Sequence, residues 1–559
     1  MNPHIFSAPR RSRSLRVGVA LFACSGVVAL SACAASPGPP PLVDPNDVAA
    51  REMYEQEDST TTSARPEGKT RVRSQVEVGV DSLRNGLNPH LIADESAVVK
   101  SVANLVLPSA FHDGVRNSAL LNGATVLSES PRAMTVRYII RETAQWSDGT
   151  PVTGADFVYL WRGMRDTPGV RNPAGYRAID AVRVSGATGK VVDVDFAVPV
   201  ADWRGLFDHL LPAHVFAADG SDFGVALRDT IPVSAGRYMV RGVDRGRGTI
   251  TLNRNDRFWA ANPAKIDILT LHAVRGTTQI ADQLRTGQLV FVDRVPSETT
   301  GRVLSLVPGV QTRMLDTPRV LGAVLSATSG MSPEVRSELR SLIDVPLLAS
   351  IALDRTADVS VEKHGQVSTH EPHAVYQHVA AHGAIRIGAD LADPAAVAAA
   401  RSMADMLHDR GVSARVVATD FGSLIRSGLE ENTVDVLVAW QHDPENLPDA
   451  ASRLDCVAGA PRAGNLAGFC EPQSVGLAKE ILAGSYGLKQ ATEAVNEVLE
   501  QEALWMPIAR ERRIIALGEG IIGADADLNN WKAGLSTAAS WRLQPKRNEG
   551  DRINHAQLP

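Results

Sequence analysis

Ala384-Ile-Arg-Ile-Gly388, Pro394 to Arg410, Ala414-Arg-Val-Val-Ala418, Phe421 to Leu429 and Val434-Asp-Val-Leu-Val-Ala439 together decide the fold class. The first is short and rich in β-branched residues, which reads as a strand. The second carries Ala, Met and Leu on one helical face and stops at Gly411, a residue that ends helices well. The third is again a strand, the fourth a helix, and the fifth a nearly continuous apolar run of the kind a doubly covered strand shows. Strand–helix–strand–helix–strand in that order implies a parallel sheet, and hence an α/β fold.

Outward from this run the pattern continues. Gln75-Val-Glu-Val-Gly-Val80, Met134-Thr-Val-Arg-Tyr-Ile-Ile140 and Val191-Val-Asp-Val-Asp-Phe196 alternate as strands, and Thr249-Ile-Thr-Leu-Asn253 follows a Gly- and Asp-rich turn as the second arm of a hairpin. The body, about residues 75–544, is too long for a single hydrophobic core and should divide into at least two lobes. Residues 34–74 are rich in Pro, Ser, Thr and charge, with few residues that could build a core, and read as a flexible tether.

The beginning of the chain speaks to compartment. Arg10, Arg11, Arg13 and Arg16 form a basic segment without acids, Val17 to Leu30 run apolar, and Leu30-Ser31-Ala32-Cys33 follows. The apolar run falls short of the roughly 20 residues a membrane span needs but suits a secretory signal. The final four residues match a bacterial lipobox, so Cys33 is expected to carry acyl chains (palmitate or similar) on the extracytoplasmic face of the cell membrane. Loss of residues 1–32 would remove four arginines and no acid, moving the net charge from −6 to −10. A mildly acidic, mixed surface argues against nucleic acid as a partner. Cys24 would leave with the leader, which makes Cys456 and Cys470 an even pair in an oxidising compartment. A disulfide closing Val457–Phe469 is expected, the alternative being two buried thiols.

Gln145-Trp-Ser-Asp-Gly-Thr-Pro-Val152 reads as a strand end and a tight turn at Asp148-Gly149 stiffened by Pro151. A helix follows, capped by Thr153 with Asp156 in its first turn. This stretch resembles the strand, Trp-Ser-Asp-Gly-Thr-Pro-Val turn and helix of family 5 solute-binding proteins, which include oligopeptide, dipeptide and nickel binders of ABC importers. Phe196 to Trp203, Leu210 to His214, Leu252-Asn-Arg-Asn-Asp-Arg-Phe-Trp259 and Pro333 to Arg340 resemble later family landmarks, while Ile231 to Tyr238 departs from the usual Gly-Thr-Gly-Pro-Tyr. Leu87-Asn-Pro-His-Leu91, Leu105 to Phe111, Phe157 to Trp161 and Pro168 to Tyr176 resemble an actinobacterial lipoprotein branch, which also has a cysteine pair where Cys456 and Cys470 fall. That branch is linked to phosphatidylinositol mannoside and lipoarabinomannan synthesis in the cell envelope.

The resemblance implies a two-lobed, hinge-connected fold of periplasmic-binding-protein type II with an extra subdomain. Residues 1–32 would be the signal peptide and 33–74 the lipidated cysteine and tether. Residues 75–272 with 505–545 would form lobe I, 273–504 lobe II and 546–559 a disordered tail. It implies a monomer that binds a mannosylated phosphatidylinositol or, alternatively, a peptide. Partners would be an ABC permease or an envelope mannosyltransferase. No cofactor is implied.

In such a fold the ligand sits between the lobes, at loops that follow strands. Trp440, Gln441, Asp443 and Asn446 follow the buried strand of the second half, and an indole beside polar groups suits a sugar ring. In the peptide-binding branch an acid near Asp443 meets a peptide amine. In the first half Asn88, His90 and Ser109 are loop candidates, with capping and turn formation as their structural alternative. His364, His370, His373, His378 and His382 lie close in sequence, and His378 and His382 are spaced to share a helical face. His370-Glu-Pro-His373 is not the helical His-Glu-x-x-His motif, and Pro372 would break such a helix. An exposed loop is therefore expected rather than a metal site. Gly518-Glu-Gly-Ile-Ile-Gly523 has the spelling of a dinucleotide loop without the βαβ unit it needs. Asp193 and Asp195 are expected to face solvent. No complete catalytic constellation is present, so the chain is not expected to be an enzyme.

Overall fold

The computed structural model describes residues 73–127, 132–217, 222–363, 365–531 and 533–545. The expected leader, Cys33, most of the tether, the tail and His364 lie outside them. Ser74, placed at the end of the tether, already belongs to the body. Its amide and hydroxyl both donate to Asp267, and its carbonyl accepts the amides of Asp267 and Ile268.

The main sheet has eleven strands and runs through the whole body. Its first half is a parallel core in which Gln75–Val80 lies between Ile268–Ala273 and Phe291–Arg294. The hairpin Tyr238–Asp244 and Thr249–Arg254 extends one side. Its second half is the run with which the sequence reading began. Ile385–Asp390 lies between Ala414–Thr419 and Val436–His442, both parallel to it. Asp393 caps the intervening helix Pro394–Asp409 by accepting the amides of Ala395 and Ala396, and Gly411 takes a positive φ of 72° just beyond that helix. Phe421–Leu429 is helical as expected, but widens into a π-type segment over Leu424–Leu429.

Two long antiparallel strands, Gln311–Leu325 and Trp505–Leu517, join the halves. Their pairing is uninterrupted from Gln311 to Asp316 and resumes at Val320, so Thr317, Pro318 and Arg319 bulge out opposite a single residue, Glu511. Pro318 has no N–H to give to a ladder, which suits it to a bulge. The cores follow the same division. Leu321, Ala323, Val436, Val438, Trp440, Met506 and Ile508 pack with the helices of the second half. Ile514 and Ala516, further along the same strand, pack with Val292 and Leu304.

A separate four-stranded sheet, with Met134–Ile140 and Val191–Phe196 at its centre, carries the capped helix Gly154–Asp166. Thr153 and Asp156 form a capping box. Here the expectation for Asp193 and Asp195 fails, because both are buried. Arg137 grips Asp193 with two bonds of 2.7 Å, while Arg183 and Thr135 bind Asp195. Each carboxylate is bound by an arginine of a neighbouring strand, and period-two alternation alone does not reveal such a cross-strand pair. Cys456 and Cys470 form the expected disulfide, with Cα atoms 5.6 Å apart. The loop they close rests on the Pro168–Tyr176 segment through Gly169 N to Arg462 O and Gly464 N to Val170 O.

Candidate functional site

Two adjoining depressions open where the sheet halves meet. They measure about 450 and 350 Å³ counting the space open to solvent. Both are lined by Ile92 and Glu95 from the first half and Trp440 from the second, and one of them also by Arg319. Glu95 sits in the turn before the helix Ala97–Val106, whose N-cap is Ser96. Arg319 sits on the bulge. Trp440 faces it from the neighbouring strand, one register step away, since Arg319 pairs with His442 and Leu321 with Trp440.

These three side chains are at least nine-tenths buried, and Arg319 lies against both of the others. Arg319 Nη1 donates to Glu511 Oε1 at 2.6 Å, and Nη2 donates to the Glu95 carbonyl at 3.0 Å. Its guanidinium lies 4.9 Å from the Trp440 ring centroid, so one face of the indole is already covered. Glu95 Oε1 has Arg171 at 3.5 Å, Arg319 at 3.9 Å and His442 at 4.0 Å. Three atoms of this cluster have no hydrogen-bond partner in the protein: Glu95 Oε2, Arg319 Nε and Trp440 Nε1.

Ion pairs cross the rim. Arg84 bonds Asp393, Asn85 donates to Asp390 at 2.9 Å, and Lys100 reaches Glu445 at 3.2 Å. Burial pushes the Asp449 carboxyl up to about 6, partly opposed by Arg171. Burial, with Arg171 adding to it, holds His442 below its usual range, which favours the neutral imidazole beside Glu95. At Glu445 burial works against ionisation, but the neighbouring cations, Lys100 foremost, outweigh it and lower the pKa.

The expected site residues divide sharply. Trp440 and Gln441 line the depressions. Asp443 stands close by but is taken: its carboxylate accepts from Arg510 at 2.5 Å. Asn446 caps the helix Leu447–Ser452, accepting the Asp449 amide at 2.9 Å. Asn88, His90 and Ser109 lie elsewhere, buried inside the first half. Asn88 donates to Phe223 O, His90 Nε2 bonds His209 O at 3.0 Å, and Ser109 bonds Asp208. Burial, reinforced by His209, lowers the His90 pKa to about 4. Glu95 and Arg319 were missed. Arg319 had a signal, since it is a charge set directly before six apolar residues of a strand and directly after a proline. Glu95 had none beyond its place one residue ahead of a helix cap.

In the histidine segment His370, His373 and His382 are exposed as expected, whereas His378 is buried. Pro372 precedes the helix His373–His382, on which His378 and His382 stack at 4.4 Å as their spacing predicts. No third ligand joins them, and no group of three or more metal-ligating side chains occurs among the described residues. Among those residues no helix is long and apolar enough to cross a membrane.

Residues 121–306 match the model of the bacterial extracellular solute-binding proteins, family 5, middle region. A Mycobacterium tuberculosis protein named "Probable monoacyl phosphatidylinositol tetramannoside-binding protein LpqW" is 30% identical over 518 residues, covering 80% of this chain and 78% of its own length. The M. tuberculosis oligopeptide-binding protein OppA is 30% identical over 190 residues, which are 32% of this chain and 31% of the relative. Among solved structures, the binding protein AgaA from A. tumefaciens with agropinic acid superposes with a TM-score of 0.65 at 16% identity, covering 85% of this chain and 99% of that one. AppA from Bacillus subtilis with a nonapeptide gives 0.62 at 14% identity, covering 85% and 100%. These structures share the type II binding-protein fold that the sequence reading expected. The chain belongs to the family 5 bacterial extracellular solute-binding proteins.

Proposed function

We propose that this protein is a lipid-anchored binding protein that holds the polar headgroup of a mannosylated phosphatidylinositol between its lobes, in the manner the name of its relative LpqW describes. In this reading Cys33 carries the anchor and residues 34–74 hold the body off the membrane. The long strands Gln311–Leu325 and Trp505–Leu517 act as the hinge between the two halves of the main sheet, and closure buries the ligand. The observation that carries it is at the end of the strand Val436–His442. Asp443, placed where the peptide-binding branch keeps an acid for a peptide amine, is occupied by Arg510. The indole N–H of Trp440, in contrast, is unpaired. The role is binding or regulation of envelope glycolipid synthesis rather than catalysis.

One observation favours a second reading, a receptor that delivers peptides to an ABC permease. Glu95 Oε2 is an acceptor without a partner in the cleft, and an amine would satisfy it. Native mass spectrometry of the full-length protein purified from its own membrane separates the two. A co-purified mannolipid is the expected result, and a co-purified peptide overturns it. A deletion strain with unchanged mannolipids would count against the glycolipid role.

A further inference from the structure

We infer that Glu95, Arg319 and Trp440 form one subsite for a pair of neighbouring hydroxyl groups, such as those on a sugar or cyclitol ring. This deepens the glycolipid reading above and rests on it.

The argument begins with desolvation. A buried polar atom without a partner destabilises a fold, so native structures keep few of them. Here three belong to side chains that line one depression, with Arg319 next to both of the others: the acceptor Glu95 Oε2 and the donors Arg319 Nε–H and Trp440 Nε1–H. None of the other buried side-chain atoms without a partner among the described residues belongs to a residue that lines either depression. The three come from different parts of the fold: the turn before a first-half helix, the bulge of a crossing strand, and a second-half strand. No local chain requirement brings them together.

The chemistry of the missing partner follows from the inventory. An ammonium group offers donors only, so it would satisfy Glu95, leave both N–H groups unmet, and add a cation beside Arg319. A carboxylate offers acceptors only and would face Glu95. A hydroxyl both donates and accepts. One hydroxyl can donate to Glu95 Oε2 while accepting from one N–H, and its neighbour can accept from the other. The charges immediately around the three atoms need no ionic ligand. Arg319 is matched by Glu511 at 2.6 Å and Arg171 by Glu95 at 3.5 Å. Arg319 also covers one face of the indole. The sequence reading expected Trp440 to offer a ring for stacking, and here its edge is the unmet group.

Two variants test this in the full-length protein. Glu95→Gln keeps the shape but replaces one acceptor oxygen by a donor. Trp440→Phe keeps a ring and removes the N–H. The probes are the deacylated, water-soluble headgroup of a phosphatidylinositol mannoside and an unmodified tripeptide, each titrated by calorimetry. The expected result is that wild type binds the headgroup, with affinity reduced roughly tenfold by Glu95→Gln and roughly fivefold by Trp440→Phe, the scale of a single charged and a single neutral hydrogen bond. The thermal unfolding midpoint without ligand should be little changed in Trp440→Phe, which separates a ligand contact from a fold contact, and should fall in Glu95→Gln, which also loses the ion pair with Arg171. Headgroup binding equal to wild type in both variants overturns the subsite and leaves the glycolipid reading standing. A wild type that binds the tripeptide or neither probe, and not the headgroup, overturns both.

Discussion

The turn Leu87–Ser96 feeds two buried polar clusters, and they differ in one respect. Asn88 and His90 point into the first half of the fold, where they join Ser109, Asp208, His209 and Asn104. Glu95, five residues after His90, points toward the crossing strands and joins Arg319 and Trp440. In the first cluster the bonds close on themselves. His209 N donates to Ser109 Oγ at 3.0 Å, His209 Nε2 bonds Asn104 Oδ1 at 2.8 Å, and His90 N donates to Asn88 Oδ1 at 3.1 Å. Two residues there, Phe207 and His209, even take positive φ angles of 58° and 45°, which the closed network holds in place. In the second cluster three polar atoms are left over. A closed network specifies a fold, and an open one at a cleft is available to a ligand. Residue type does not distinguish them, since both are built from acids, a base and an aromatic or imidazole ring.

The comparison can be broken most forcefully at Arg319, which also supports the fold through its ion pair with Glu511. Arg319→Met leaves Glu511, which is buried, with only Thr317 and the more distant Arg513. Losing one partner of a buried ion pair is expected to destabilise by about 3–5 kcal/mol, read from chemical denaturation. A loss below about 1 kcal/mol would place Arg319 with the ligand alone. His90 gives the next largest effect. Its folded pKa of about 4 lies below the usual value near 6.5, so the stability it contributes is present above pH 6.5 and is lost as pH falls toward 4. Between those limits the wild type should lose up to about 3 kcal/mol relative to His90→Gln, which has no such proton to take up. Denaturation midpoints of both proteins at pH 7 and pH 4.5 check this, and parallel profiles would refute it.

The fold was legible because it is written in local periodicity. The run from Ala384 to Ala439 shows the three parallel strands of the second half and the helices between them, and only boundaries moved, as where Val434–Ala439 became Val436–His442. The Gln145–Asp156 stretch announced both a capped helix and a family. The site was half legible. Trp440 and Gln441 follow a buried strand, a place where clefts form. Asn88, His90 and Ser109 look identical in sequence to cleft residues, and only the bonds to His209, Phe223 and Asp208, some 99 to 135 positions away, show that they are consumed. Pairing across strands, over 56 and 12 positions, likewise hid Arg137 and Arg183 from the aspartates they bind. Partner satisfaction is a property of the folded contact map, and periodicity carries no record of it.

The remaining predictions set the clusters against each other at single atoms. Ser109→Ala removes one hydroxyl from the closed network and strips the His209 amide and the Asp208 carboxylate of a shared partner. It should destabilise by about 1–3 kcal/mol without altering headgroup affinity. Trp440→Phe deletes more atoms at a site almost as buried, yet its effect on stability should be smaller. The lost ring area and the lost contact with Arg319 lower stability. Removing an N–H that the fold desolvates without pairing raises it by about 1–3 kcal/mol. The two terms oppose each other, and a net change within about 1 kcal/mol of zero is expected from denaturation at pH 7. If Trp440→Phe instead destabilises more than Ser109→Ala, the indole N–H has a partner within the protein, the second cluster is as closed as the first, and the contrast between them disappears.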